Sequence, residues 1–310
     1  MQIFLKLEAV PPDFGATVVS VGNFDGVHRA HQNVLAAIVR RARELNARSL
    51  AVTFDPHPTR VLRPEVAPKL ITPLERKLEL IAPFGVDAAL VLPFTKEFSL
   101  TSPKAFSELL GERLRAKEVH EGFNFHFGHK AEGNLAKLTG LGKEAGFNVI
   151  SYPEMRLRGE SVSSSCIREL VQKEGDVSRA RALLGRAFSI TAHPAKGRGY
   201  GKQYTVPTIN LSAYEELVPG NGVYITRTRI GSETFNSVTN VGNRPTFGAD
   251  SFAIESHLLD FHPIELTEET AIETCFLHRL RDEIKFPSVE VLRAQIGKDV
   301  ALAQRYFRLL

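Results

Sequence analysis

The chain has 310 residues, 43% of them hydrophobic and 24% charged, with a formal net charge of +4. That length accommodates a sizeable core and suits two domains, and the composition is globular, neither disordered nor fibrous. The positive balance is mild; it fits an enzyme that handles anionic nucleotides, and on charge alone a nucleic-acid binder stays open. Cys166 and Cys275 alone give neither a disulfide framework nor a cysteine metal site, as suits a reducing cytoplasm. Lys6 and Glu8 interrupt the apolar N-terminal run, so no secretory signal is read there. The longest apolar stretch, Leu80 to Phe94, contains Asp87 and is too short to span a bilayer.

The first informative stretch runs from Val18 to His31. A strand-type run, Val18–Val21, meets Gly22 and Gly26, and from Gln32 to Leu45 the residues Val34, Leu35, Ile38, Val39 and Leu45 are spaced to bury one helical stripe. Strand, tight loop and helix N-terminus in that order make an anion site, because the first N–H groups of the helix lack partners and its dipole is positive there. His28 and His31, three apart, share one face of the first turn and can donate to phosphate oxygens; capping or surface roles are the other reading. With no glutamate base or third ligand nearby, the pair does not suit zinc.

Strands are next expected at Ser49–Phe54, Val86–Phe94, Glu118–His120 and Phe147–Tyr152, with helices at Leu74–Ala82, Pro103–Leu114 and Leu135–Ala145. Such alternation argues a parallel sheet with helices on both faces, where ligands bind beyond the carboxyl ends of the strands. The loops after Val21, Phe54 and His120 should therefore converge. The second carries His57 in a Pro-His-Pro turn, and the third reads Glu121-Gly122-Phe123-Asn124-Phe125-His126-Phe127-Gly128. Phe123, Phe125 and Phe127 alternate as core aromatics do. Ser163, Ser164 and Ser165 then open a helical run, Arg168–Leu184, and with Arg168 they form either a cap or a second phosphate clamp.

Beyond Gly185 the texture changes to short β runs, Phe188–Thr191, Gly222–Arg229, Thr234–Val241 and Ile254–Leu259. They argue a small antiparallel barrel, against which a helix at Val289–Phe307 packs. The glycine-rich stretch Lys196–Lys202 lacks Walker A spacing. An extended Thr208-x-Asn210 puts two neutral oxygen ligands on one side of a strand, suited to Mg²⁺ held jointly with ATP phosphates. Glu255, inside an apolar strand, is a solvated edge carboxylate or a general base.

Several of these stretches resemble known signatures. Gly22-Asn23-Phe24-Asp25-Gly26-Val27-His28 and His31 resemble the Gly-x-Phe-Asp-Gly-x-His and His-x-Gly-His motifs of bacterial FAD synthetases, with Ala30 where the family has glycine. Ser163 to Arg168 is similar to the Ile-Ser-Ser-Thr-x-Ile-Arg motif, with Ser165 for threonine and Cys166 for a common arginine. The loop around Asn124 is similar to the same family's Gly-x-Asn/Asp-Phe-x-Phe-Gly, with His126 for a frequent arginine. Pro207-Thr208-Ile209-Asn210, Asn240 to Phe247 and Ile254 to Phe261 resemble riboflavin kinase motifs, with Thr205 and Ile209 departing from that family's glycine and alanine.

Together they resemble the bifunctional bacterial riboflavin kinase/FAD synthetase family. The resemblance implies an α/β plus all-β chain: a Rossmann-like nucleotidyltransferase domain, residues 1–185, followed by a small antiparallel β-barrel kinase domain with a C-terminal helix, residues 186–310. It further implies riboflavin, FMN, FAD and ATP as ligands, ATP as co-substrate, Mg²⁺ as cofactor, a cytoplasmic location, and no nucleic-acid or membrane partner; homo-oligomer formation stays open. In the first domain Gly22, Asn23, Phe24, His28, His31, Ser164, Ser165 and Arg168 would bind ATP, and His57 and Asn124 would bind FMN. In the second, Gly199, Gly201 and Lys202 would bind ATP, Thr208 and Asn210 the metal, and Glu255 would be the base. Two alternatives stand beside this reading. One is a kinase whose first domain is weakened or repurposed by Ala30 and Cys166; the other is a non-catalytic nucleic-acid binder whose barrel tracks phosphates.

Overall fold

The computed structural model describes residues 1–195, 207–243 and 252–309. Contacts divide the chain into two compact units, Met1–Ser164 and Ser165–Leu310. This cut lies upstream of position 185, because the helical segment between the two positions packs on strands of the second unit.

In the first unit the elements follow as β1 (Gln2–Phe4), β2 (Thr17–Val21), α1 (Arg29–Glu44), β3 (Arg48–Asp55), α2 (Pro58–Leu62), α3 (Leu74–Ile81), β4 (Ala88–Pro93), α4 (Pro103–Glu108), β5 (Ala116–Gly122), α5 (Leu135–Ala145) and β6 (Asn148–Tyr152), then a small hairpin, β7 (Arg156–Leu157) and β8 (Glu160–Ser161). Strands pair in the order β1-β4-β3-β2-β5-β6, all parallel. Continuous apolar runs such as Leu50–Val52 and Ala88–Leu92 are buried on both faces, as a doubly covered parallel sheet requires. Val18 and Ala51 meet Leu35 and Ile38 of α1 on one face, while Val19, Leu50 and Leu90 meet Phe106, Leu110 and Leu138 on the other. From β2 the chain steps outward to β3 and β4, then returns to place β5 on the opposite side. The switch point therefore lies between β2 and β5.

Two helices of the first unit differ from expectation. The helix foreseen from Gln32 begins at Arg29, because His28 serves as its cap, its Nδ1 accepting the His31 N–H at 3.4 Å. The segment 103–114 turns π-helical at Leu109–Arg113, where a β-carbon on Gly111 would collide with the Ala145 carbonyl of α5.

The second unit opens within α6 (Ser164–Arg168), at Ser165, and continues in a π-helical turn, Glu169–Glu174. The expected continuous helix then breaks at Gly175, and α7 (Val177–Leu184) restarts on the Asp176 cap. Gly175 has φ +65°, and a side chain there would lie 2.6 Å from the Tyr224 hydroxyl. β9 (Phe188–Ala192), β10 (Thr208–Leu211), β11 (Gly222–Ile230), β12 (Glu233–Asn243), β13 (Phe252–Leu258) and β14 (Ile272–Arg281) follow, with α8 (Val289–Arg308) last. They form an antiparallel sheet in the order β10-β13-β12-β11-β14-β9. Ala195 N–H to Asn210 O (2.8 Å) and Ser212 N–H to His193 O (2.7 Å) join its two edges, so the sheet closes into a barrel without an open edge between them. α7 packs on β9 and β14.

The sequence pattern points to β9, β11, β12 and β13 and marks Thr208-x-Asn210 of β10 as extended, but gives no sign of β14, which pairs with both β11 and β9. One face of the sheet carries Phe188, Tyr224 and Phe276 together with fully buried hydroxyls. Thr226 bonds Ser237 (2.8 Å) and Thr239 (2.7 Å), and Thr239 bonds Ser256 (2.8 Å), so these polar groups satisfy one another. The other face receives α8, whose Ala303, Tyr306 and Phe307 pack on Val223, Ile225 and Leu277. Asp299 of α8, 3% exposed, accepts from Arg281 Nε (3.1 Å) and Nη2 (2.8 Å) and from Gln295 Nε2 (2.9 Å). Removing one partner of such a buried pair strands the other. Asp299→Ala should therefore cost about 3 kcal/mol and hasten amide exchange across Val289–Arg308. Unchanged melting and unchanged exchange would contradict this anchoring role.

Candidate active sites

In the first unit the loops after β2, β3 and β5 leave the same edge of the sheet. The β2–α1 loop is wound tightly: Phe24 (φ 47°), Gly26 (φ 83°) and Val27 (φ 40°) are left-handed, and for the β-branched Val27 this is strained. Buried hydrogen bonds hold it there. The Asp25 carboxylate accepts from Ile71 N–H (3.1 Å) and Thr72 N–H (3.0 Å), and Gly26 N–H donates to Thr72 Oγ1 (3.0 Å). Ser164 Oγ donates to the Asp25 carbonyl (2.9 Å), Thr53 Oγ1 to the Asn23 carbonyl (3.3 Å), and Gln32 Nε2 to the Val27 carbonyl (2.8 Å).

This winding brings His28 and His31 together as stacked rings, centroids 3.6 Å apart and 16° from parallel, with Phe24 edge-on to His31 at 5.2 Å. His31 Nδ1 is sealed from solvent and has no hydrogen-bond partner among the described residues. Burial, then the neighbouring His28 and Lys77, hold its pKa well below the ordinary value, so the ring is neutral. Lys77, absent from the sequence reading, is 4% exposed and donates to Thr53 Oγ1 at 3.3 Å. Burial lowers its pKa while Asp25 and Asp55 oppose that shift. The signal for it was positional: Lys77 lies on the apolar stripe of Leu74, Leu78 and Ile81, not on the solvated face.

Gly22 N–H is taken by the Val52 carbonyl (2.9 Å), and Asn23 is half-buried beside it. Ser164 is tied to this loop; Ser165 and Arg168 follow it in α6 and belong by contacts to the second unit. His57 caps α2, its Nδ1 accepting Thr59 N–H at 3.3 Å. Asn124 is exposed in the turn closed by Phe125 N–H to Gly122 O (3.0 Å). Of the three alternating aromatics only Phe127 is core; Phe125 stacks half-buried upon it, and Phe123 is 54% exposed. Phe54, Phe94 and Phe98 form a half-buried aromatic group at the ends of β3 and β4, with centroids 5.7–5.9 Å apart.

In the second unit β10 pairs antiparallel with β13, setting Thr208 opposite His257 and Asn210 opposite Glu255; β12 sets Asn240 on the other side of Glu255. Alternation along each strand places Thr208, Asn210, Glu255, His257 and Asn240 on one face. Thr208 Oγ1 and His257 Nδ1 are 3.1 Å apart, and burial lowers the His257 pKa, favouring the neutral ring. Hydroxyl, amide and carboxylate oxygens gathered on one face are the hard donors that Mg²⁺ prefers, so the residues present fit that ion. Among the described residues no group of three or more His, Cys, Asp or Glu is arranged to hold a metal, so the fit rests on the Thr and Asn oxygens. Gly199, Gly201 and Lys202, and Arg244–Phe247, lie outside the described residues.

Residues 11–166 match the FAD synthetase family and residues 184–307 the riboflavin kinase family. The bifunctional riboflavin kinase/FMN adenylyltransferase of Haemophilus influenzae is 34% identical over 99% of this chain and 99% of its own length. That of Pseudomonas fluorescens is 35% identical over 98% and 97%. A solved structure described as a macrolide-efflux protein from Streptococcus pneumoniae is 23% identical, with a TM-score of 0.83 over 97% of this chain and 98% of that one, and supports the fold alone. Among the described residues no helix is long and apolar enough to cross a membrane. With both domain families present in order and such identity from end to end, this chain belongs to the bifunctional riboflavin kinase/FMN adenylyltransferase family.

Proposed function

We propose that the chain makes FAD from riboflavin in two ATP-dependent transfers, with the kinase residues in 186–310 and the adenylyltransferase residues in 1–185. The observation that carries this reading is the face shared by Thr208, Asn210 and Glu255, an oxygen-donor pair with one acid opposite. Glu255 takes the proton of the ribityl 5′-hydroxyl as its oxygen attacks the γ-phosphorus of ATP, and ADP leaves. Thr208 and Asn210 would hold Mg²⁺, which when bound would neutralise charge on the phosphates. His257 orients the Thr208 hydroxyl, and Gly199, Gly201 and Lys202 are assigned to the same nucleotide.

At the first site an FMN phosphate oxygen attacks the α-phosphorus of ATP and pyrophosphate leaves. No protein nucleophile takes part, so positioning and charge stabilisation supply the catalysis. His28 and neutral His31 donate hydrogen bonds to phosphate oxygens beside the backbone of Gly22, Asn23 and Phe24. Ser164, Ser165 and Arg168 hold the triphosphate, while His57 and Asn124 hold FMN. The substrates are small cytoplasmic molecules, and the chemistry requires neither a nucleic acid nor a membrane.

Glu255→Gln should lower FMN formation by roughly 10²–10⁴ and leave FAD formation from supplied FMN intact, read by product chromatography from each starting flavin. Equal loss of both activities, or an unchanged kinase rate, would remove Glu255 from this role. His31 yields a pH prediction. Its folded pKa lies below the unfolded value of about 6.5, so the unfolded chain binds the proton first and stability falls as pH drops below about 6.5. Denaturant unfolding of His31→Asn should show a shallower loss on acidification than wild type, since His120 and His257 titrate alike in both. Identical slopes would mean that His31 does not carry the linkage.

A further inference from the structure

The pairing of β2 with β5 stops short of their ends. Its register runs from Thr17 opposite Ala116 to Val19 opposite Val119, although β2 continues to Val21 and β5 to Gly122. Gly22 N–H points the other way, to Val52 of β3, so the Val21 N–H faces the gap opening toward β5. There it meets a side chain: Glu121 Oε1 accepts it at 2.6 Å. Glu121 is 3% exposed and sits at the switch point, beside the start of the loop that carries His28. An acid buried at that position is costly unless something is gained from it.

We propose that Glu121 is a positioning residue for adenylyl transfer, latching the ends of β2 and β5 so that the loop from Gly22 starts in the geometry that receives the nucleotide phosphates. This rests on the adenylyltransferase reading of the first unit. The latch works with a neutral carboxyl. Burial is the chief influence on Glu121 and raises its pKa well above the usual range, with the Val21 hydrogen bond acting in the other direction. Among the described residues no charged neighbour offsets this. On β5 itself Glu118 and His120 occupy alternate positions and are engaged by Arg41 (Nε to Glu118 Oε2, 3.0 Å) and Tyr152 (hydroxyl to His120 Nδ1, 2.8 Å). β2 carries no titratable residue, and on β6 only Tyr152 titrates. The helices on the Val119 face present Phe106, Leu110 and Leu138 to the sheet, while Glu112, Lys137 and Glu144 are exposed. Ionising Glu121 would place a negative charge beside the expected phosphate site and oppose nucleotide binding.

The test uses the full chain, with riboflavin kinase activity as an internal control for folding. Glu121→Gln keeps both the acceptor and the neutrality; Glu121→Leu removes the latch. Expected are a near wild-type ATP KM for FAD synthesis in the Gln protein at neutral pH and an increase of about tenfold in the Leu protein. Kinase rates should stay unchanged in both. In wild type the ATP KM should rise as alkaline pH ionises Glu121, and the Gln protein should lack that rise. A protonated-carboxyl stretch in the infrared difference spectrum, lost in Glu121→Gln, would support the neutral latch without relying on turnover. Gln and Leu proteins that behave alike, or wild-type and Gln proteins with the same pH profile, would overturn the proposal. Wild type that forms no FAD from FMN while retaining the carboxyl band would instead count against the adenylyltransferase reading.

Discussion

The first unit depends on one buried carboxylate. Asp25 ties its own loop to the Ile71–Thr72 backbone, and its carbonyl receives the Ser164 hydroxyl, so three stretches distant in sequence meet at one residue. Left-handed Phe24 and Val27 would relax without such ties, since each strained residue costs on the order of 1–3 kcal/mol. Because the loop is held, α1 starts at Arg29 and the two histidines stack. An exposed Asp25 would lose much of this leverage to water; at 2% exposure its hydrogen bonds are made in a medium where breaking them is expensive.

The two units solve the problem of buried polarity differently. The first keeps ionisable groups near its sheet edge and shifts them toward neutrality by desolvation, as at His31, or opposes that shift with carboxylates, as at Lys77. The second lines one face of its sheet with Thr226, Ser237, Thr239 and Ser256, whose hydroxyls bond one another, and sets Glu255 on the other face between two asparagines. Anion recognition favours neutral donors and backbone at the first site. A phosphoryl transfer that develops charge favours oxygen ligands and a base at the second.

Much of this was legible in the sequence, for physical reasons. Strands buried on both faces need uninterrupted apolar runs, so β3 and β4 stood out, and α5 was located to the residue because Asn134 and Gly146 cap it. β14 escaped notice because Glu273, His278, Arg279 and Arg281 break its apolar pattern, and those residues are engaged by neighbours only once the fold forms. The His28–His31 pair and the Thr208-x-Asn210 face follow from local periodicity and were readable. Lys77 and Glu121 were not: a charged residue in a helix or strand ordinarily faces water, and its burial is decided by contacts far along the chain.

The central claim, two sequential transfers by one chain, is tested most directly by following its products over time from riboflavin, ATP and Mg²⁺. FMN should appear with ADP and then be converted to FAD with one pyrophosphate released per FAD, and FMN supplied in place of riboflavin should also yield FAD. Accumulation of FMN with no FAD from either flavin, or no flavin product at all, would contradict that claim.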